Sequence, residues 1–290
     1  MTAAANNVAI SAVSVLGAGQ MGRGIAQVCT AAGLQVQLYD NNQTQLTNAA
    51  DAIRHNLRRM REKDKISEQQ FATLPPVVVQ GDIGEWLRAS DIVIEAIAED
   101  ADAKKNLYHL AGKHLRDDAI LASNTSSFSI GELASAAPRP QLFAGMHFMN
   151  PAPLMRLVEV IPALQTAAQT TEKITMLARV LGKETIQSAD SPGFITNRLL
   201  MPLINEAIYA RHENLGSAED IDRAMRLGMN HPMGPLTLAD FIGLDTVLAV
   251  LEVLRRGFGD AKFRPCPLLH NYVAAGWLGK KTGRGFYCYE

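Results

Sequence analysis

The sequence has little net charge, few cysteines and no long apolar run. Its 290 residues include 28 Lys and Arg against 29 Asp and Glu, which leaves a formal net charge of −1. Such a balance gives no support for binding to nucleic acid or to an anionic membrane, so we expect neither partner. No apolar run approaches the roughly 18 residues that a membrane-spanning helix needs.

The three cysteines lie far apart in the chain, at Cys29, Cys266 and Cys288. They form neither a disulfide framework nor a metal-binding pattern, so we predict no metal site and a reducing compartment. Residues 1–12 contain no Lys or Arg, which argues against a signal or transit peptide. We therefore expect a soluble, cytoplasmic protein.

Hydrophobic residues make up 47% of the chain, enough for a sizeable core. Up to about residue 188, short apolar runs alternate with helix-like segments, which is typical of a parallel sheet covered on both faces. The last runs follow one another with little helix between them, which predicts a mixed end to the sheet. The predicted strands are 12–16, 35–39, 77–79, 91–97, 119–123, 142–146, 156–161 and 184–188.

The first strand runs into 17-GAGQMG-22, which has the spacing G-x-G-x-x-G. Gly17 permits a tight turn, Gly19 lets the backbone approach a pyrophosphate, and Gly22 lets the next helix pack against the sheet. The second strand ends at Asp40, where a ribose-binding acid is expected. A carboxylate there repels a 2′-phosphate, and the next two residues are Asn41 and Asn42 rather than an arginine that could bind one. We therefore predict NAD rather than NADP. Capping of the next helix is the other role open to Asp40.

After 190-DSPG-193 the chain reads as helices interrupted by Gly and Pro. We therefore predict an α/β fold with two domains. Residues 1–190 form a Rossmann-type dinucleotide-binding domain with a mixed sheet extension, and residues 191–290 form an all-helical domain.

About 36 residues separate Asp40 from the strand predicted near Val77, more than one crossover helix needs. We expect a protruding helix or helical hairpin that contains 54-RHNLRRMREKDK-65. Its Arg and Lys residues form either a solvated helix face or a site for a phosphate-bearing substrate.

Two ionisable residues interrupt the apolar stretch 145-GMHFMNPAPLMRLVEVI-161. His147 lies at the end of a predicted strand, where open α/β sheets bind ligands. Histidine suits proton transfer near neutral pH, although a hydrogen-bonded core histidine is the other interpretation. Glu159 lies between apolar residues on a strand and needs a partner if buried. We predict that it pairs with the His147 ring, fixing its tautomer and orientation.

Polar residues also follow the strand that ends near Ser123, in 122-ASNTSSFSIGEL-133. Ser129 and Glu132 have the spacing of a capping box, which leaves residues 124–127 to line a cleft or to form local loop hydrogen bonds.

Together these motifs resemble the L-3-hydroxyacyl-CoA dehydrogenase family, in particular its short bacterial 3-hydroxybutyryl-CoA dehydrogenases. The resemblance extends in order over nearly the whole chain. Met149 departs from it, standing where Phe is usual, and 211-RHENLG-216 is less typical. The matching stretches are 15-VLGAGQMGRGIAQ-27, 91-DIVIEAIAED-100, 122-ASNTSS-127, 147-HFMNPAPLMRLVEVI-161, 190-DSPGFITNRLL-200, 232-PMGPLTLADFIGLD-245 and 279-GKKTGRGFY-287.

The resemblance implies NAD-dependent oxidation of a 3-hydroxyacyl-CoA, the reverse reduction, and a homodimer formed through the helical domain. It implies catalytic roles for Ser126, His147, Glu159 and Asn197. It implies that the acyl-CoA substrate contacts Asn56, Lys63, Ser126 and Asn197. It implies cofactor contacts at Gly17, Gly19, Gln20, Met21, Gly22, Asp40, Ala96, Glu99, Lys104, Ser126, Asn150 and Lys281.

Two other functions are open at this point. One is a dehydrogenase for a free hydroxy acid or sugar acid, although the basic segment at 54–65 favours coenzyme A. The other is a non-catalytic NAD-binding regulator or structural protein, against which the joint presence of the four catalytic candidates argues.

Overall fold

The computed structural model describes residues 10–79 and 82–289. Contacts between Cα atoms divide the chain into two compact units, with the boundary between Asp190 and Ser191. Among the described residues, no helix combines the length and the apolar character that a membrane crossing requires.

In the described part of the first unit, seven strands form one sheet. They are β1 (Ala12–Leu16), β2 (Gln35–Tyr39), β3 (Ile92–Glu95), β4 (Ile120–Ser123), β5 (Phe143–Phe148), β6 (Leu157–Pro162) and β7 (Glu184–Gln187). Their order is β2-β1-β3-β4-β5-β6-β7. The strands from β2 to β5 are parallel, β6 runs antiparallel to β5, and β7 is parallel to β6, as the predicted mixed extension requires.

The central strands are mainly apolar, as a sheet covered on both faces requires. Every residue of β1, β3, β4 and β5 is buried, as expected for a sheet flanked by crossover helices. The helices of this unit are α1 (Gln20–Ala31), α2 (Gln43–Glu62), α3 (Glu68–Thr73), α4 (Ile83–Ala89), α5 (Ala101–Gly112), α6 (Ile130–Ser135) and α7 (Ala168–Val180).

The predicted strand at 77–79 is wrong. Only Val78 pairs, by a parallel bridge to Gln37 on the outer side of β2. Pro75 and Pro76 immediately precede it, and a proline cannot donate to a strand ladder. The long crossover instead contains α2 and α3. The helix α2 buries Leu46, Ala49, Ile53 and Leu57 at helical spacing, so one face packs on the core.

The second unit consists of helices, with short 3-10 turns between some of them. The helices are α8 (Thr196–His212), α9 (Ala218–Gly228), α10 (Pro235–Ile242), α11 (Leu244–Phe258) and α12 (Pro267–Ala274). Their core includes Ile204, Leu236, Val247, Leu251 and Phe263, all at 0% exposure.

A buried carboxylate joins the end of the chain to this helical core. Asp240 accepts hydrogen bonds from the backbone N–H groups of Phe286 and Tyr287, both at 2.9 Å, and from the Tyr289 hydroxyl at 3.0 Å. Burial and the neighbouring carboxylate raise the pKa of the Tyr289 hydroxyl, so it stays a donor. The close approach requires a glycine, because a Cβ on Gly285 would lie 2.0 Å from Asp240 Oδ1.

We expect Gly285→Ala to destabilise the second unit, since the methyl group overlaps a buried side chain. Overpacking of this kind costs roughly 1–3 kcal/mol of the free energy of unfolding. Thermal and urea unfolding would measure it. Gly228→Ala is the matched control, because a Cβ there meets no atom within 4 Å. Equal stability of the two variants would contradict the close contact.

Candidate active site

The three glycines of the loop between β1 and α1 differ in how much space surrounds them. Gly17 has φ +108°, and a Cβ on it would lie 2.5 Å from the Ala96 carbonyl oxygen. A Cβ on Gly22 would lie 1.8 Å from the Gly17 oxygen. Both are therefore required by the fold itself. At Gly19 the nearest atom to an added Cβ is Gln45 Nε2 at 3.9 Å, so the protein leaves space there.

Asp40 ties this loop to the start of α2. Its carboxylate accepts from the backbone N–H of Ala18 at 2.7 Å and of Asn42 at 2.9 Å, and from Gln45 Nε2 at 3.0 Å. Capping of α2 by Asp40 is excluded, because Asn42 is the N-cap and accepts from the Gln45 N–H at 3.0 Å. A tight glycine turn, open space at Gly19 and an acid after β2 fit a dinucleotide.

His147 and Glu159 face each other on β5 and β6, where they are direct partners in the antiparallel register. His147 Nδ1 lies 2.7 Å from Glu159 Oε2, which confirms the predicted pairing distance. The imidazole side chain is 9% exposed and the carboxylate 0%. A carboxylate buried this deeply is costly without a partner, and the ring supplies one.

A lysine fixes the turn between these strands. Lys183 Nζ donates to the backbone oxygens of Ala152 at 2.6 Å and Met155 at 2.8 Å. Burial lowers the pKa of this ammonium. The turn also contains Asn150, one of the predicted cofactor residues.

The loop after β4 is organised by two side chains. Asn124 Oδ1 accepts from the Phe148 N–H at 2.8 Å, which ties this loop to the end of β5. Glu99 accepts from the Thr125 hydroxyl at 2.9 Å and from the Ser126 N–H at 2.7 Å, and the Ser126 hydroxyl donates to it at 3.2 Å. Glu99 and Ser126, predicted separately, are therefore in direct contact. Ser129 caps α6 through the Glu132 N–H at 3.2 Å.

Sequence reasoning missed Glu95, the last residue of β3. It is 0% exposed and accepts from four donors, including Lys104 Nζ at 2.6 Å. The signal that identified Glu159, an isolated acid in an apolar strand, is also present in 92-IVIE-95. Lys104, predicted to contact the cofactor, is itself only 1% exposed.

Other predicted residues lie on separate elements. Ala96 N–H donates to the Leu16 oxygen at 2.7 Å, beside the glycine loop. The α1 helix begins with Gln20 and Met21. Asn56 lies on α2, where its Nδ2 donates to Gln27 Oε1 at 2.9 Å, and Lys63 is the exposed C-cap of that helix.

Two predicted residues belong to the second unit. Asn197 lies in the first turn of α8. Lys281 Nζ contacts both carboxylate oxygens of Asp245, at 2.5 and 2.6 Å. Their contacts with cofactor or substrate stay predictions.

Residues 12–191 match the family model for the 3-hydroxyacyl-CoA dehydrogenase NAD binding domain, and residues 193–289 match that for its C-terminal domain. The chain belongs to the 3-hydroxyacyl-CoA dehydrogenase family. The family resemblance and the α/β fold class are thereby confirmed. The protein is an NAD-dependent dehydrogenase, and its cofactor is NAD.

Relatives match over nearly their whole length. The probable 3-hydroxybutyryl-CoA dehydrogenase of Bacillus subtilis (strain 168) is 50% identical, over 97% of this chain and 98% of that protein. The mitochondrial hydroxyacyl-coenzyme A dehydrogenase of Homo sapiens is 39% identical, over 100% of this chain and 94% of its own. The crystal structure of (S)-3-hydroxybutyryl-CoA dehydrogenase PaaH1 from Ralstonia eutropha superposes with a TM-score of 0.93 at 45% identity, covering 97% and 100% of the two chains.

The space at Gly19 leads to a prediction about NADH binding. Gly19→Ala should weaken NADH binding by about tenfold while leaving the melting temperature nearly unchanged, since the methyl group enters only the space a pyrophosphate would approach. Gly22→Ala should instead lower the melting temperature, because its Cβ overlaps the Gly17 oxygen. Fluorescence titration with NADH and thermal unfolding separate the two effects. Unchanged NADH affinity in Gly19→Ala would contradict the assignment.

Proposed function

We propose that the protein interconverts (S)-3-hydroxybutyryl-CoA and acetoacetyl-CoA, with His147 as acid/base and Glu159 as its paired carboxylate. The observation that carries the proposal is the buried 2.7 Å contact between His147 Nδ1 and Glu159 Oε2. Near-full-length similarity to proteins named 3-hydroxybutyryl-CoA dehydrogenase supports this substrate.

The pairing specifies which ring nitrogen reacts. An ionised carboxylate only accepts hydrogen bonds, so Nδ1 carries the ring proton and donates a hydrogen bond to Glu159. The other nitrogen, Nε2, then takes the proton of the substrate C3 hydroxyl during oxidation and returns it during reduction. Bound NAD supplies the hydride acceptor for the same carbon. Glu159 stabilises the imidazolium that forms and keeps the ring oriented.

In this proposal Ser126 and Asn197 bind the substrate oxygen and order the site. Ser126 is suited to the role because Glu99 fixes its backbone and hydroxyl. Coenzyme A binds at Asn56 and Lys63. The exposed ammonium of Lys63 at the end of α2 supports this, since phosphates attract such groups.

We further infer a cytoplasmic homodimer formed through the second unit. Large apolar side chains are exposed on that unit, and exposed apolar patches commonly mark interfaces. They include Leu199 at 67%, Leu215 at 82%, Leu227 at 74% and Met229 at 66%. Free thiols at Cys29, Cys266 and Cys288 suit a reducing compartment.

An assay with acetoacetyl-CoA and NADH, followed at the NADH absorbance, tests the proposed reaction. We expect turnover with acetoacetyl-CoA and little with free acetoacetate, because the free acid lacks the groups that α2 would bind. NADPH should be a poor reductant, since Asp40 repels its 2′-phosphate. Equal rates with the free acid would favour a hydroxy-acid dehydrogenase, and no turnover with any acyl-CoA or free acid would favour a binding protein.

Substitution of His147 and Glu159 tests their proposed acid/base and pairing roles, whereas the assay above tests the identity of the substrate. His147→Ala should lower kcat by roughly 10²–10⁴-fold, the usual contribution of a general acid–base, with NADH affinity nearly unchanged. Glu159→Gln should also be severely impaired and shift the pH–rate profile. The control is His109→Ala, which removes an exposed histidine on α5. Full activity of His147→Ala would refute the assignment.

A further inference from the structure

The buried carboxylate of Glu95 is saturated with hydrogen bonds. Oε1 accepts from Lys104 Nζ at 2.6 Å and from the Ile97 N–H at 2.8 Å. Oε2 accepts from the Tyr108 hydroxyl at 2.8 Å and the Ser123 hydroxyl at 2.7 Å. Burial and the nearby Glu95 charge raise the pKa of Tyr108, which keeps that hydroxyl a donor. With these four donors, both carboxylate oxygens of the buried acid have hydrogen-bond partners.

Lys104 is shared between two acids. Its Nζ lies 2.6 Å from Glu95 and 3.3 Å from Glu99 Oε2, and its side chain is 1% exposed. A buried ammonium is stable only when paired, and Glu95 supplies the shorter and fully desolvated contact. Lys104 therefore stays in the protein interior, and its ion pair with the partly exposed Glu99 restrains that carboxylate.

Glu99 passes this restraint to the loop after β4. It binds the N–H and the hydroxyl of Ser126 and the hydroxyl of Thr125. The contacts form a continuous path from Glu95 through Lys104 and Glu99 to Ser126. A second, shorter connection runs from Glu95 through the Ser123 hydroxyl to the Thr125 N–H at 3.2 Å.

We propose that Glu95 is a positioning residue for the active site, because it holds Lys104 where that lysine fixes Glu99 and, through it, Ser126. The proposal rests on the proposed function, in which Ser126 binds the substrate oxygen. It gives Lys104 a role through Glu99 that is distinct from direct contact with the cofactor.

Glu95→Gln tests the role of the charge with little change of shape. The amide oxygen can still accept from Lys104 and the Ile97 N–H, and the amide nitrogen can donate to the two hydroxyl oxygens. We expect kcat for acetoacetyl-CoA reduction to fall about tenfold, with KM changed less than about threefold, since misplacing a positioning group weakens the transition state more than substrate binding.

A double-variant cycle tests whether the effect passes through Lys104. In a Lys104→Met background, adding Glu95→Gln should change kcat less than about twofold, because the coupled contact is already lost. The added substitution should also raise the melting temperature of Lys104→Met, since it removes an unpaired buried charge. Equal fold-changes in both backgrounds would overturn the path.

The matched control is Asp91→Asn. Asp91 immediately precedes β3, and Glu95 is the last residue of that strand. Asp91 accepts from the Ser11 and Ala12 N–H groups and pairs with Arg116. Burial opposes these bonds but does not outweigh them, so the pKa of Asp91 is lowered. Asp91→Asn should lower the free energy of unfolding at pH values above the acid range while leaving kcat unchanged.

Unchanged kcat in Glu95→Gln, or an equal loss of kcat in Asp91→Asn, would overturn the proposal. Absence of turnover in the unsubstituted protein would instead be the failure of the proposed function.

Discussion

The reversal of chain direction between β5 and β6 is the constraint on which the contact between His147 and Glu159 depends. Parallel neighbours need a long crossover, whereas residues 149–156 return the chain in a short turn. The antiparallel register then sets His147 opposite Glu159, so the two side chains meet on one face of the sheet. Lys183 fixes the same turn through two carbonyl oxygens, which links the geometry of the pair to β7.

Much of this arrangement was predictable, because period-two alternation and the glycine spacing are local signals. Short apolar runs predicted six of the seven strands closely, with β3 shorter than expected, and the alternation in β6 predicted the contact between His147 and Glu159. The strand at 77–79 failed, because the run is only three valines long and Pro75 and Pro76 bar its extension toward the N-terminus. Residue type alone cannot show that only the middle valine pairs.

The buried cluster around Glu95 escaped prediction for a different reason. Lysine on a helix is ordinarily solvent-exposed, so the pattern of α5 gave no reason to place Lys104 inside the core. Its burial follows from the acid at the end of β3, nine residues earlier in the chain but brought beside it by the fold. Buried charges of this kind depend on partners from several elements, and only the folded structure brings those partners together.

Asp240 has a practical consequence for handling the protein. Phe286, Tyr287 and Tyr289 donate hydrogen bonds to its carboxylate. The donors of this buried aspartate therefore come from the end of the described chain. A purification tag or fluorescent fusion attached directly after Tyr289 would therefore lie next to these hydrogen bonds. Trimming the chain at Gly285 would leave a carboxylate in an apolar core without its donors.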